Sequence, residues 1–244
     1  MAVSNYLFVM KIVVNSNTSY KLPLKILLES ILKSDIKDTQ DVIVVISESE
    51  RETQPTLVDI KSIVDIDSDR KVVLVESIRR NYDYCGFDIL YKYQSNPLID
   101  SNEYLYLHDT TKVDYDFYNK IQKFENLEDK LIISPATSNS NIVIFQKNVV
   151  LNYKENFSVD MNKRQATRLE TDNQVYVDGR WIGDIHKFGT VRRIDQRKLI
   201  DHVDIYNTGF NRAVFYYEAF GVTKYLFWNC DGDIKKNIDG PTLS

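Results

Sequence analysis

A strand with one face in water alternates apolar and polar residues, and the run Val42-Ile43-Val44-Val45-Ile46 does not. Five consecutive β-branched residues are all buried only when the strand that holds them is covered on both faces. Tyr6 to Val14, Val72 to Val75 and Tyr104 to Leu107 are further apolar runs of this kind. Helical stretches separate them. Tyr20 to Lys33 carries Leu22, Ile26, Leu27, Ser30 and Ile31 at helical spacing, and Thr56 to Val64, Tyr84 to Tyr93 and Asp116 to Phe124 read as helices. Such β-α-β-α repetition predicts an α/β fold: a Rossmann-type, doubly wound, mostly parallel sheet flanked by helices, with ligands beyond the carboxyl ends of its strands.

The second half reads differently. Leu131 to Ile133 and Asn141 to Phe145 are predicted strands, Val159 to Leu169 a helix, and Ala213 to Tyr217 and Thr223 to Trp228 the clearest strands of the tail. No Pro/Gly/Ser linker and no internal repeat divides the chain. One domain is therefore expected over all 244 residues, with a nucleotide-type half over 1–113 and a mixed α/β half over 114–244.

Composition excludes several classes. A net charge of -4 and a pI near 5.5 argue against nucleic acid as the main ligand, which a basic patch would bind. With 8 glycines and no G-x-G-x-x-G or G-x-x-x-x-G-K string, there is no glycine-rich phosphate cradle. Cys85 and Cys230 lack metal-ligand spacing and read as reduced thiols. The first apolar run is too short for a membrane span and lacks a basic leader, so a cytoplasmic chain is expected, and the sequons at Asn17 and Asn156 carry no glycosylation meaning.

Residues just after parallel strands line the crevice. They are Asn15, Ser16 and Asn17; Ser47, Glu48 and Ser49; Glu76 and Ser77, then Arg79, Arg80, Asn81, Tyr82 and Asp83; and His108, Asp109, Thr110 and Thr111. Such amides and carboxylates can read a base and ribose, and Asp109 can hold a cation bridging a diphosphate. Singly, each is better explained as a helix cap. Their recurrence at four strand ends favours a shared site.

The segments I-V-V-N-S-N, V-I-V-V-I-S-E-S, R-N-Y-D-Y-C-G-F-D and Y-L-Y-L-H-D-T-T, in this order, resemble the donor-binding elements of GT-A-fold glycosyltransferases, family-2-like members above all. The resemblance covers roughly residues 6–150. It implies a nucleotide-diphosphate sugar donor contacted by Asn15, Asn17, Glu48, Asn81, Asp83, His108, Asp109, Thr110 and Thr111. It also implies a divalent metal, Mn or Mg, at a D-x-D motif. Here that motif is reduced to Asp109 with Thr111 in its register, and a hydroxyl is a far weaker ligand than a carboxylate. Either Asp109 holds the ion with help from elsewhere, His186 being a candidate, or the site works without one. In the second case Arg192 and Arg193, with Lys187 behind them, are candidates to take up the charge of the diphosphate.

Other acidic strings read as structure. Asp114-Tyr115-Asp116 is expected to cap the helix after it and Asp231-Gly232-Asp233 to form a turn, while Asp65 to Glu76 has Arg70 where a calcium loop needs glycine. For the acceptor side, the segment Ser138 to Asn141, Asn139 included, resembles the one lining the donor sugar, and Trp181 is a candidate for stacking on the acceptor. An inverting transfer needs a carboxylate base. Glu170 and Asp172, at the end of the predicted helix, are candidates; Asp160 is expected to be an N-cap, and His186 is a second base candidate. The reading is a hexosyltransferase-type enzyme of glycan biosynthesis with a saccharide acceptor. A degenerate nucleotide-sugar or glycan-binding domain is the alternative, and a sugar nucleotidyltransferase is disfavoured because Asn15 to Lys21 lacks a glycine- and base-rich loop.

Overall fold

The computed structural model describes residues 10–18, 20–36, 41–47, 72–124, 127–135, 142–194, 197–205 and 210–227. The predicted helix Thr56 to Val64, the calcium-like string at Asp65, the Asp231 string, Cys230, Glu48 and Asn139 lie outside them. So does the side chain of Asp83.

Four strands, β1 (Lys11–Asn17), β2 (Val42–Ser47), β3 (Val72–Glu76) and β4 (Glu103–His108), pair in parallel in the order β3-β2-β1-β4. The sheet continues through β7 (Ile142–Gln146) to β6 (Leu131–Pro135) and β10 (Thr190–Ile194), giving seven strands in all. β7 alone runs antiparallel to its neighbours, β4 and β6, whereas β10 is parallel to β6. Only residues 136–141 separate β6 from β7, too few for the dozen or more that a parallel crossover needs. The mostly parallel, helix-flanked sheet is thus the α/β fold expected, completed by strands from the second half of the chain.

Successive residues of each central strand feed two different cores. Ile12, Val14, Val42, Val44, Leu105 and Leu107 pack against one helix layer, and Val13, Ile43, Val45, Tyr104 and Tyr106 against the other. The first layer holds α1 (Lys21–Lys33), whose buried face is Leu24, Leu27, Leu28 and Ile31, and α3 (Phe117–Ile121). Leu22 and Ile26 are only half-buried, so the apolar stripe lies beside the one expected. The second layer holds α2 (Cys85–Lys92), α4 (Lys147–Tyr153) and α5 (Lys163–Asp172). Phe87 of α2 stacks on Tyr106 at 4.2 Å, and a Cβ on Gly86 would lie 2.4 Å from that tyrosine ring, so the helix sits this close only with glycine there.

Three local expectations are corrected. Asp116 occupies the position before α3, but its side chain makes no cap bond and pairs with Lys120 instead. Asp35, just after α1, accepts from the N–H groups of Tyr118 (2.6 Å) and Asn119 (3.0 Å) and does the capping. The helix expected from Val159 begins at Lys163, because Asn162 and Gln165 form a reciprocal capping box; Asp160 accepts from the Arg80 N–H and is no N-cap. Between β4 and α3 the chain adds a short strand. This strand, β5 (Thr111–Val113), joins β11 (Arg197–Ile205), β12 (Phe210–Tyr217) and β13 (Val222–Phe227) in an antiparallel sheet of order β11-β12-β13-β5. A hairpin of β8 (Gln174–Val177) and β9 (Arg180–Gly183) turns on Asp178-Gly179, both at positive φ. Among the described residues no helix is long and apolar enough to cross a membrane.

Candidate active site at the carboxyl edge of the sheet

Because β1, β2, β3 and β4 are parallel, their last residues share one edge. The hydroxyl of Ser16 donates to Asp109 Oδ2 at 2.6 Å, between side chains whose residues are only 2% and 7% exposed. That length is typical of a hydroxyl donating to a carboxylate. The Asp109 N–H in turn donates to the carbonyl of Asn15, carrying the β1–β4 ladder one residue past β4. The Ser47 hydroxyl reaches the Ser16 carbonyl from β2. Asp109 is therefore held from β1, which β2 braces in turn.

Asn15 has a bridging role. Its Nδ2 donates to the carbonyl of Tyr82 at 3.0 Å, and its Oδ1 accepts from the Gly86 N–H at 3.0 Å. The latter caps the first turn of α2, where the preceding Tyr84 provides no side-chain cap. The former holds Tyr82 at a φ of 51°, a conformation that side chains other than glycine rarely adopt. Asn81 is buried and accepts from the thiol of Cys85, and Asn17 is half-buried at the end of β1. The β3 end is tied by the Ser77 N–H to the Ile46 carbonyl.

At the β4 end His108 is buried with its ring edge-on to Tyr106. Thr111 donates its hydroxyl to the His108 carbonyl at 2.6 Å. Thr110 accepts at Oγ1 from the ammonium of Lys224, at 2.5 Å, and its carbonyl accepts from the Tyr225 N–H. The sequence reading missed Lys224. It lies in a strand with no motif around it, 113 positions beyond Thr111, its partner in the β5–β13 register.

The second-half candidates fall at different distances from this edge. Arg192 and Arg193 lie near the carboxyl end of β10, on the same edge but exposed. The order β10-β6-β7-β4 separates them from Asp109 by three strand spacings, roughly 14 Å. His186 sits in the short turn Ile185–Lys187 with Nδ1 at 3.1 Å from Asp184 Oδ2 and Nε2 at 3.3 Å from Ser134 Oγ. Asp184 and Ser134 are fully buried, and both ring nitrogens of His186 face these neighbours. Lys187 reaches Gln174 at 2.7 Å. Glu170 is half-buried and Asp172 exposed at the end of α5, where the Asp172 carboxylate accepts from the Thr171 hydroxyl. Trp181 is 65% exposed and packs edge-on at 5.4 Å against Tyr176, its cross-strand partner, which is 55% exposed. Among the described residues no three His, Cys, Asp or Glu side chains converge as a metal site.

No family model matches the chain, and no curated protein matches it in sequence. Solved structures similar to it include glycosyltransferases. S. aureus TarS 1–349 aligns over 58% of this chain and 48% of that one, at 13% identity and a TM-score of 0.42. The galactosyltransferase LgtC, in complex with donor and acceptor sugar analogues, aligns over 75% and 73%, at 12% identity and 0.45. The bifunctional glycosyltransferase WbbM aligns over 78% of this chain and 39% of that one, at 10% identity and 0.44. The chain thus spans about half of the TarS fragment and less of WbbM. By its own sheet order, parallel strands β3-β2-β1-β4 continued across the antiparallel β7 to β6 and β10, the chain has a GT-A-like α/β fold.

Proposed function

We propose that this protein is a glycosyltransferase that moves a sugar from a nucleotide diphosphate to a saccharide acceptor with inversion. The observation that carries the reading is the buried Ser16–Asp109 pair at the end of adjacent parallel strands, which fixes a carboxylate in the crevice where such sheets receive nucleotides. The ends of β1 to β3 bring amide and hydroxyl groups suited to a base and ribose. On the acceptor side, the exposed Tyr176–Trp181 pair offers apolar ring faces to a sugar, and Glu170 or Asp172 serves as the base that takes the acceptor proton. Glycan biosynthesis in the cytoplasm is the corresponding setting.

The test is thermal stabilisation by UDP-, GDP- and TDP-sugars, each with and without Mn²⁺, followed by transfer to oligosaccharide acceptors. At least one donor is expected to raise Tm, and Asp109→Ala to abolish the rise. If no donor shifts Tm, the reading fails. The single carboxylate in D-x-D register favours a second reading, a domain that binds nucleotide-sugar without turnover. Binding without hydrolysis or transfer of the donor sugar would select it.

A further inference from the structure

Among the described residues, the groups around Asp109 do not suit a divalent cation. Hard cations need several oxygen ligands, preferably carboxylates. Here one carboxylate is held by Ser16, the Thr111 hydroxyl is donated to a backbone carbonyl, and both nitrogens of His186 are turned to Asp184 and Ser134. A leaving diphosphate still needs positive charge. Arg192 and Arg193 are three strands away.

We propose that the ammonium of Lys224 supplies that charge, so that donor binding and departure of the diphosphate proceed without a metal ion. This rests on the glycosyltransferase reading above. Lys224 is 4% exposed, an unusual state for a lysine, and its position is set by backbone as well as side chain. The β13–β5 register places it opposite Thr111, the adjacent Tyr225 N–H holds the Thr110 carbonyl at 3.0 Å, and its ammonium touches Thr110 Oγ1 at 2.5 Å. Thr110 directly follows Asp109. The Lys224 amine is thus fixed one residue from the strand-end carboxylate, in surroundings with little water. A rigid buried ammonium needs no reorganisation as negative charge develops beside it. In the transfer the acceptor oxygen forms the new bond to the anomeric carbon and gives its proton to the carboxylate base. The electron pair of the broken carbon–oxygen bond stays on the terminal phosphate, and Lys224 receives that charge.

The test compares UDP, GDP and TDP with their matched nucleosides by calorimetry, in EDTA and in Mn²⁺, on the full chain. For the nucleotide that binds, wild-type affinity is expected to change less than about two-fold between EDTA and Mn²⁺. Lys224→Met is expected to weaken the diphosphate at least ten-fold while leaving the nucleoside within two-fold, and Lys224→Arg to recover most of the loss. A merely structural lysine would move both ligands together. The inference is overturned if wild-type binding needs Mn²⁺, a comparison that requires no variant, or if Lys224→Met leaves the diphosphate-to-nucleoside ratio unchanged. If no nucleoside diphosphate binds the wild type under either condition, the glycosyltransferase reading itself falls, and this inference with it.

Discussion

Replacing Ser16 by Ala tests the central contact of the site. The substitution removes one hydroxyl and leaves the Asp109 carboxylate, 7% exposed, without its 2.6 Å donor. A hydrogen bond to a charged group contributes about 1.5–3 kcal/mol, and burial of both partners places this one in the upper part of that range. Alanine at position 16 fits the space of serine, so the cost reports the bond and not a cavity. For a chain of this size each kcal/mol shifts Tm by roughly 2–4 °C, so a loss of about 2–3 kcal/mol predicts a fall of roughly 4–12 °C. Urea unfolding followed by circular dichroism gives the free energy directly. A double-mutant cycle with Asp109→Ala isolates the pair, and groups in contact should show a coupling of about 0.5–3 kcal/mol. A Ser16→Ala cost below about 0.5 kcal/mol with strictly additive single changes would refute the reasoning. Asp109 would then not be positioned by β1.

Gly86→Ala should destabilise by about 1–3 kcal/mol, because its Cβ would meet a Tyr106 ring that is fully buried and stacked on Phe87; urea unfolding checks this. Tyr216→Phe should cost about 0.5–1.5 kcal/mol, since the phenol donates to Asp114 and accepts from Lys120, linking β12 to α3; a normal Tm would contradict it. Stability should also fall as pH rises above about 10. Burial pushes the phenols of Tyr104 and Tyr153 above their ordinary pKa, so the folded chain keeps protons that the unfolded chain releases. A raised folded pKa contributes stability below the unfolded value and loses it as pH climbs towards the folded one. Each such group removes about 1.4 kcal/mol per pH unit in that window, so Tyr104→Phe should flatten a melting-temperature profile above about pH 10.

The central sheet was legible because burial on both faces leaves a mark in sequence. Val42 to Ile46 has no polar position to hide, and the run predicted there matches β2 to within one residue. The later strands leave weaker marks. β7 was readable as a strand but not as antiparallel, although the short interval before it held that information. The hairpin β8–β9 carried its signal in plain view, Asp178-Gly179 between alternating residues, yet only Trp181 was singled out from it. The cap of α3 could not be read at all. Asp35 precedes that helix by more than eighty positions, and capping rules look only at the residue next to the helix.

The same limit explains why the sequence reading turned to Arg192 and Arg193 and passed over Lys224. A run of two arginines is conspicuous in sequence, whereas a lysine between Thr223 and Tyr225 resembles any solvent-facing strand residue. What buries Lys224 is a pairing that no local pattern reports. The three residues Thr111 to Val113 leave the large sheet directly after the site and take the edge of the second one. That switch makes the end of β4 a junction between two sheets as well as part of the crevice edge. A strand from near the end of the described chain can then lay its ammonium against Thr110. The chemistry of the strand end therefore depends on β13 as much as on β4. A variant that loosens the β5–β13 ladder should lose diphosphate affinity while leaving the Ser16–Asp109 bond intact.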